Sequence, residues 1–424
     1  MPKAVRPTAS WFATLLAGAA HAAAWIPPGV AAQAPSPPDA DTNLRQVALP
    51  EPWGPHAVGV HTLIVEDSGR TVTGPDGTQR PRPILVRLWH PALPTDAPPR
   101  AYMDPASADA WRSTLPVPPG FERAVRTHAA SDAPWAESTP GGGWPVLLFS
   151  HGRSFPVENY QIVLEQLASQ GWVVAALSHV GEEALTRLPD GTEYPFAGPT
   201  WETPEQRGAV LMGVVDELVR DASRVLDALE RANAAPDHPL GERLALRAGV
   251  GYFGHSLGGA TAAWTLQRED RVRAAASWEG QVYRDADRPM TVAGPLMYLI
   301  GGANRTELSW NHFRPGGPAA PVYEVVIEGA WHASFGELLY VYRAYAPRDW
   351  QERHRREITA ERANQITADM LDAFFGAHLL GRPSDLLRPD SREEGESSAT
   401  WNYPEVDLSL SVAPAGSVAA DGDG

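Results

Sequence analysis

Short, mostly apolar runs alternate along the chain with longer stretches whose apolar residues recur every three or four positions. Val146-Leu147-Leu148-Phe149, Trp172 to Leu177, Val250-Gly251-Tyr252-Phe253, Val272 to Trp278, Leu296 to Ile300 and Val322 to Ile327 are such runs. Runs of this length read as strands buried on both faces. Asn159 to Gln170 reads as a helix closed by Gly171. Leu218, Ala222, Val225, Leu226 and Leu229 share one helical face, as do Ile366, Met370, Phe374 and Phe375 further on. Strands alternating with helices predict an α/β fold around a mostly parallel sheet. Ahead of them, Val58 to Glu66 and Ile84 to Trp89 flank the turn cluster Gly74-Pro75-Asp76-Gly77 and predict an antiparallel pair. Residues 91–143 and 178–212 lack a period and read as insertions, the first expected to cover the sheet without a core of its own.

The two ends differ from the middle. Lys3 and Arg6 precede an apolar stretch from Trp11 to Ala20, followed by Ala20-His21-Ala22 and Ala32-Gln33-Ala34. A positive end, an apolar middle and small residues at a cleavage site make residues 1–34 a signal peptide with two candidate cleavage points, and imply export to the periplasm or the medium. The apolar run is shorter than the ~20 residues of a membrane span. Residues 35–50 then read as a linker, 51–384 as one domain, and 385–424 as an acidic, largely disordered tail with only Trp401 and Tyr403 as core-type residues.

Composition narrows the chemistry. A formal charge of -16 argues against a nucleic-acid partner. The chain has no cysteine, which removes disulfides, thiolate metal sites and a cysteine nucleophile together. No H-E-x-x-H or clustered ligand spacing is present, so neither metal nor cofactor is expected.

The strongest motif is Gly254-His255-Ser256-Leu257-Gly258-Gly259, set between the run ending at Phe253 and the helix-forming Ala260-Thr261-Ala262-Ala263-Trp264. Strand, tight turn and helix are the context of a G-x-S-x-G nucleophile elbow. A side chain at Gly254 or Gly258 would collide with a neighbouring element. Ser256 then needs a base, and the base an orienting acid. His332, just beyond the last strand in Gly329-Ala330-Trp331-His332, is the base candidate; His255, His151 and His312 compete less well. Two acids remain open: Glu279, ending the strand after the elbow helix, and Glu307, beyond the next strand, the commoner position in such folds. The oxyanion would be held by the backbone N–H groups of Leu257 and of Arg153, in the loop Ser150-His151-Gly152-Arg153. The Arg153 side chain is a weaker candidate contact for an anionic substrate group.

Taken in order, Leu148-Phe149-Ser150-His151-Gly152, Trp172 to His179, Gly254 to Thr261 and Gly329-Ala330-Trp331-His332 resemble the plasma-type (group II, lipoprotein-associated) platelet-activating factor acetylhydrolase family. The likeness runs from about Pro145 to His378. It implies a calcium-independent α/β-hydrolase that removes short acyl chains from phospholipids, with transient contact to lipid surfaces. It also implies that the acid is Glu279, where mammalian members carry Asp. A strand end followed by Gly280 favours the same residue, because a triad acid must be held rigidly. Phe155, Trp278, Trp331 and Phe335 are expected to wall a small acyl pocket. The substrate is then a small-molecule ester or a phospholipid. A general or polyester-cleaving carboxylesterase is the alternative within the class; a non-catalytic binding protein is disfavoured by the presence of both Ser256 and His332.

Overall fold

The computed structural model describes residues 44–112, 117–138, 142–283, 290–305, 313–348, 351, 357–388 and 403–413. The expected signal peptide at 1–34 lies outside them. The strands in chain order are β1 (Val47–Ala48), β2 (Ala57–Thr73), β3 (Gln79–Ala92), β4 (Pro99–Ala101), β5 (Val125–Ser131), β6 (Val146–Ser150), β7 (Val173–His179), β8 (Leu185–Arg187), β9 (Glu193–Pro195), β10 (Val250–His255), β11 (Val272–Trp278), β12 (Met290–Thr291), β13 (Leu296–Gly301), β14 (Phe313–Arg314), β15 (Val322–Ile327) and β16 (Val406–Ser411). The helices are α1 (Pro105–Arg112), α2 (Gln161–Ser169), α3 (Pro204–Ala234), α4 (Leu257–Leu266), α5 (Leu338–Tyr345) and α6 (Ala360–Leu380).

One large sheet runs in the order β1-β5-β2-β3-β7-β6-β10-β11-β13-β15-β16. Its centre, β7 through β15, is parallel, and β2, β3 and β7 pair antiparallel. The continuous apolar runs are explained by two covered faces. Along β6, Val146 and Leu148 pack with α3 and α4, whereas Leu147 and Phe149 pack with α2 and α6. Residues i and i+1 of a strand point to opposite faces, so a strand covered on both sides must be apolar throughout. Helix α4 is buried along its whole length, which suits its run of Gly, Ala and Thr. Both helical faces read from the sequence are observed: Leu218, Ala222, Val225, Leu226 and Leu229 face one core, and Ile366, Met370, Phe374 and Phe375 the other.

Three boundaries need correction. The linker assigned to 35–50 contains β1, which pairs in parallel with β5. The domain limit at 384 falls short, because β16 pairs antiparallel with β15 from Val322↔Ser411 to Ile327↔Val406. Val406-Asp407-Leu408-Ser409 alternates in period two, with Val406 and Leu408 buried. The acidic average of the tail hid that alternation. Tyr403 is buried too and donates its O–H to Asp369, while Glu405 forms a two-pronged ion pair with Arg362 at 3.0 Å for each bond. Residues 389–402, with Trp401, lie outside the described residues. The insertion at 91–143 is the third case. It adds β5 to the sheet, and its Tyr102, Met103, Trp111 and Phe121 form a separate core with Leu338, Val341 and Tyr342 of α5.

Candidate active site

The parallel strands bring their carboxyl ends to one edge, and there β10 passes into α4 through Ser256. Ser256 has φ 54° and ψ -115°, a region side chains rarely adopt. The glycines make that turn possible. A Cβ on Gly254 would stand 2.5 Å from Gly258 backbone, and one on Gly258 would stand 2.1 Å from the Ser150 carbonyl oxygen. The Ser256 N–H donates to the Trp278 carbonyl at 2.7 Å, which places the serine beside the end of β11.

The residue that follows β11 is Glu279, also at positive φ, 52°. Its carboxylate is fully shielded from solvent. Oε1 accepts the Gly301 N–H at 2.5 Å; Oε2 accepts Asn304 Nδ2 at 2.5 Å and His332 Nδ1 at 3.1 Å. A carboxylate only accepts here, so His332 Nδ1 carries a proton and donates it to Glu279. Glu279 is therefore the acid brought to His332. Glu307, the other candidate, lies outside the described residues, as does His312. The last residue of β13, Gly301, and the ordered turn that follows it, Gly302–Asn304, supply Glu279 with one donor each. A Cβ on Gly301 would meet the Ala330 carbonyl oxygen at 2.6 Å, so glycine is required where this turn passes the histidine loop.

His255, next to the nucleophile in the chain, is part of the scaffold, with both ring nitrogens engaged by protein groups. Its ring lies 4.5 Å, centroid to centroid, from that of His332. Its Nε2 is 3.0 Å from the His332 carbonyl, an acceptor, so Nε2 carries the proton. Nδ1 is then bare and accepts the Tyr160 O–H at 2.9 Å. Tyr160 in turn accepts the Gly152 N–H at 3.1 Å. Burial, reinforced by nearby His332, holds the His255 pKa well below its ordinary value and keeps this chain neutral. It ties the histidine loop to the oxyanion loop. Neither Tyr160 nor Asn304 carried a sequence signal: each is a common residue type whose partner is remote in the chain.

The loop from Ser150 to Phe155, the candidate oxyanion loop, lies against the serine. A Cβ on Gly152 would be 3.5 Å from Ser256 Cβ. Leu257 opens α4, so its N–H has no partner within that helix. In the loop, the amides of Gly152, Ser154 and Phe155 donate to Tyr160, the Glu182 carbonyl and the Gly152 carbonyl. The Arg153 amide lies between them. The Arg153 side chain, the weaker candidate contact for an anionic substrate group, is engaged by protein groups. It donates to the Pro199 carbonyl at 2.5 Å, pairs with Glu182 at 3.4 Å and lies over the rings of Phe196 and Trp201. Burial raises the Glu182 pKa to about 7. A cavity of about 770 Å³ opens on Glu182 and Pro199, bounded further by Val180, Tyr194, Val214 and Leu218. Of the four aromatics expected to wall a pocket, Trp278 and Phe335 are in the core. Phe155 and Trp331 remain partly exposed; Trp331 donates to Glu357.

Residues 121–189 match the family model described as platelet-activating factor acetylhydrolase, isoform II. A protein of Arthroderma benhamiae named probable 1-alkyl-2-acetylglycerophosphocholine esterase is 25% identical over 389 residues, covering 84% of this chain and 92% of its own. Among solved structures, a ferulic acid esterase from Streptomyces cinnamoneus is 25% identical, with a TM-score of 0.66 over 85% of this chain and 99% of its own. The chain has the α/β-hydrolase fold, is a carboxylic ester hydrolase, and resembles the platelet-activating factor acetylhydrolase family.

Proposed function

We propose that the protein hydrolyses esters of short acyl chains through a Ser256–His332–Glu279 triad. The observation that carries this reading is the buried Glu279 carboxylate 3.1 Å from His332 Nδ1, beside a serine held at φ 54°. Ser256 Oγ attacks the acyl carbon while His332 Nε2 takes its proton. The imidazolium so formed is stabilised by Glu279 and returns the proton to the leaving alcohol. The amides of Leu257 and Arg153 receive the negative oxygen. Water then repeats the sequence on the acyl-enzyme. Nucleophile, base and donors are all supplied by the chain, so turnover is expected to survive EDTA.

The family resemblance favours a phospholipid bearing an acetyl or similar group, with transient contact to a lipid surface. The likeness to a ferulic acid esterase favours a second reading, a carboxylesterase for bulkier, aromatic acyl groups or polyesters. One panel separates them: an acetyl-phospholipid, a long-chain phospholipid, p-nitrophenyl esters of graded length and an aromatic polyester. Acetyl and butyryl esters should turn over faster than a sixteen-carbon ester; the reverse order would refute short-acyl preference. A folded protein with no turnover on any member would indicate a binding protein. Export is proposed from the N-terminal sequence alone, and cell fractionation tests it.

A further inference from the structure

A second serine, histidine and carboxylate stand in line beneath the oxyanion loop. Ser150 Oγ, at the end of β6, is 2.7 Å from His179 Nε2, and His179 Nδ1 is 2.9 Å from Asp221 Oδ2. All three residues are 0% exposed, so no substrate reaches this serine.

The proton directions in this chain follow one from another. Arg70 Nη2 donates to Asp221 at 2.6 Å, and Arg82 donates twice at 2.9 Å. Against the opposing effect of burial, the His179 hydrogen bond and the bonds and charge of Arg82 hold the Asp221 pKa well below the carboxylate range. Asp221 therefore accepts, and His179 Nδ1 carries the proton. Burial lowers the His179 pKa and keeps the ring neutral, so Nε2 accepts the Ser150 O–H. The Tyr252 O–H, 2.7 Å away, donates to Ser150.

The line continues into the loop. The backbone N–H of His179 donates to His151 Nε2 at 3.2 Å. An amide N–H can only donate, so His151 Nε2 is bare and its proton sits on Nδ1. From there it reaches the Gly152 carbonyl at 2.8 Å. The Phe155 N–H donates to the same carbonyl at 3.0 Å. In a trans peptide the C=O and the following N–H point in opposite directions. Gripping the Gly152 carbonyl on one side therefore fixes the direction of the Arg153 N–H on the other.

We propose that His151, held in its Nδ1–H form by the backbone of His179, is a positioning residue that sets the Gly152–Arg153 peptide and so aims the Arg153 N–H at the oxyanion. The proposal rests on the Ser256 reading above. Ser150, His179 and Asp221, anchored by Arg70 and Arg82, form the rigid footing of that peptide and take no part in bond making.

Two substitutions separate this role from mere packing. His151→Leu fills similar space and offers neither acceptor nor donor. His151→Asn cannot accept from the His179 N–H but places an N–H near the position of Nδ1, restoring the bond to Gly152. Both should lower the Tm of the full chain by similar amounts. On p-nitrophenyl acetate, His151→Leu should lose about 10²-fold in kcat with KM within about threefold, as expected when one oxyanion donor is misplaced. His151→Asn should recover at least about tenfold of that loss. Affinity for a trifluoromethyl ketone, whose adduct carries the oxyanion, should follow kcat across the series. Should the Leu variant fail to fold, His151→Gln replaces it: its longer amide reaches the Nε2 position, serves His179 and leaves Gly152 without a donor, so the same loss is expected. Wild-type kcat in the Leu or Gln variant, or Leu and Asn variants with equal kcat, would overturn the proposal. Ser256→Ala is measured alongside. If it retains wild-type turnover, the Ser256 reading falls; if it is inactive while His151→Leu is fully active, only the role of His151 falls.

Discussion

Among the described residues, a serine, a histidine and a carboxylate come together in two places, around Ser256 and around Ser150, and the surroundings of the two differ. In the first, Ser256 sits on a strained turn, partly open, and the His332 side chain is 13% exposed. Its Glu279 is matched by neutral donors, Gly301 N–H and Asn304, so the charge remains available to an imidazolium. In the second, Ser150 is closed in by Tyr252 and His179, and Asp221 is neutralised by two guanidinium groups. A nucleophile needs access and an acid with charge to spare; residue identity alone supplies neither. The second set instead has fixed proton directions throughout, which suits a footing.

The largest expected difference between the sets is at the serines. Ser256→Ala should leave only the residual catalysis of the oxyanion hole and binding, on the order of 10³ over the uncatalysed rate. His332→Ala should fall to the same floor, and the double variant no lower, because the two act as one unit. Ser150→Ala should keep kcat within about tenfold and lose about 1–3 kcal/mol of stability from the His179 and Tyr252 groups left unpaired. Steady-state rates and urea titrations on all four variants test this. A dead but stable Ser150→Ala would invert the comparison.

The carboxylates come next. Glu279→Gln should cost about 10⁴ in kcat by disturbing the tautomer and charge at His332, with circular dichroism unchanged. Asp221→Asn should act on stability, by about 3–5 kcal/mol, because Arg70 and Arg82 lose a buried counter-charge. A smaller effect is expected at Asn304: Asn304→Ala removes one charged hydrogen bond from Glu279 and should lower kcat by roughly tenfold, about 1.4 kcal/mol. An unchanged rate there would mean that Gly301 suffices to hold the acid.

The smallest effect is a pH slope. The folded His179 pKa is depressed by burial below its ordinary 6.5. Between the two values the unfolded chain binds the extra proton, so stability from His179 is complete above about pH 6.5 and is lost as the pH falls toward the folded value. The stability gap between wild type and His179→Asn should therefore narrow on acidification below pH 6.5, by no more than about 1.4 kcal/mol per pH unit. Paired denaturant titrations at pH 7.5 and 5.5 measure it. A gap that widens would show that His179 is charged in the folded protein.

What the chain disclosed in advance depended on whether the signal was local. The elbow was legible because Gly254 and Gly258 are needed within the turn itself. The parallel strands were legible because burial on two faces leaves an uninterrupted apolar run. At Glu279 the strand end left two acids open and the family resemblance chose between them, whereas Asn304, Tyr160 and His255 acquire meaning only from partners up to about a hundred residues away, as in the Tyr160–His255 bond. Strand β16 was masked although Val406 to Ser411 alternates, because six residues of period two are outweighed by the acidic average of the tail around them. The core around Trp111 and Phe121 was missed because it is completed by Leu338, Val341 and Tyr342 of α5, more than two hundred residues later.

The most direct test is covalent. The full chain is treated with a fluorophosphonate at neutral pH, digested and mapped by mass spectrometry, with Glu279→Gln treated in parallel. One adduct on the peptide bearing Ser256 is expected, formed much more slowly in Glu279→Gln, with Ser150 unmodified. Labelling of Ser150, or a folded protein that takes up no label at Ser256, would contradict the assignment of Ser256, His332 and Glu279 as the catalytic set.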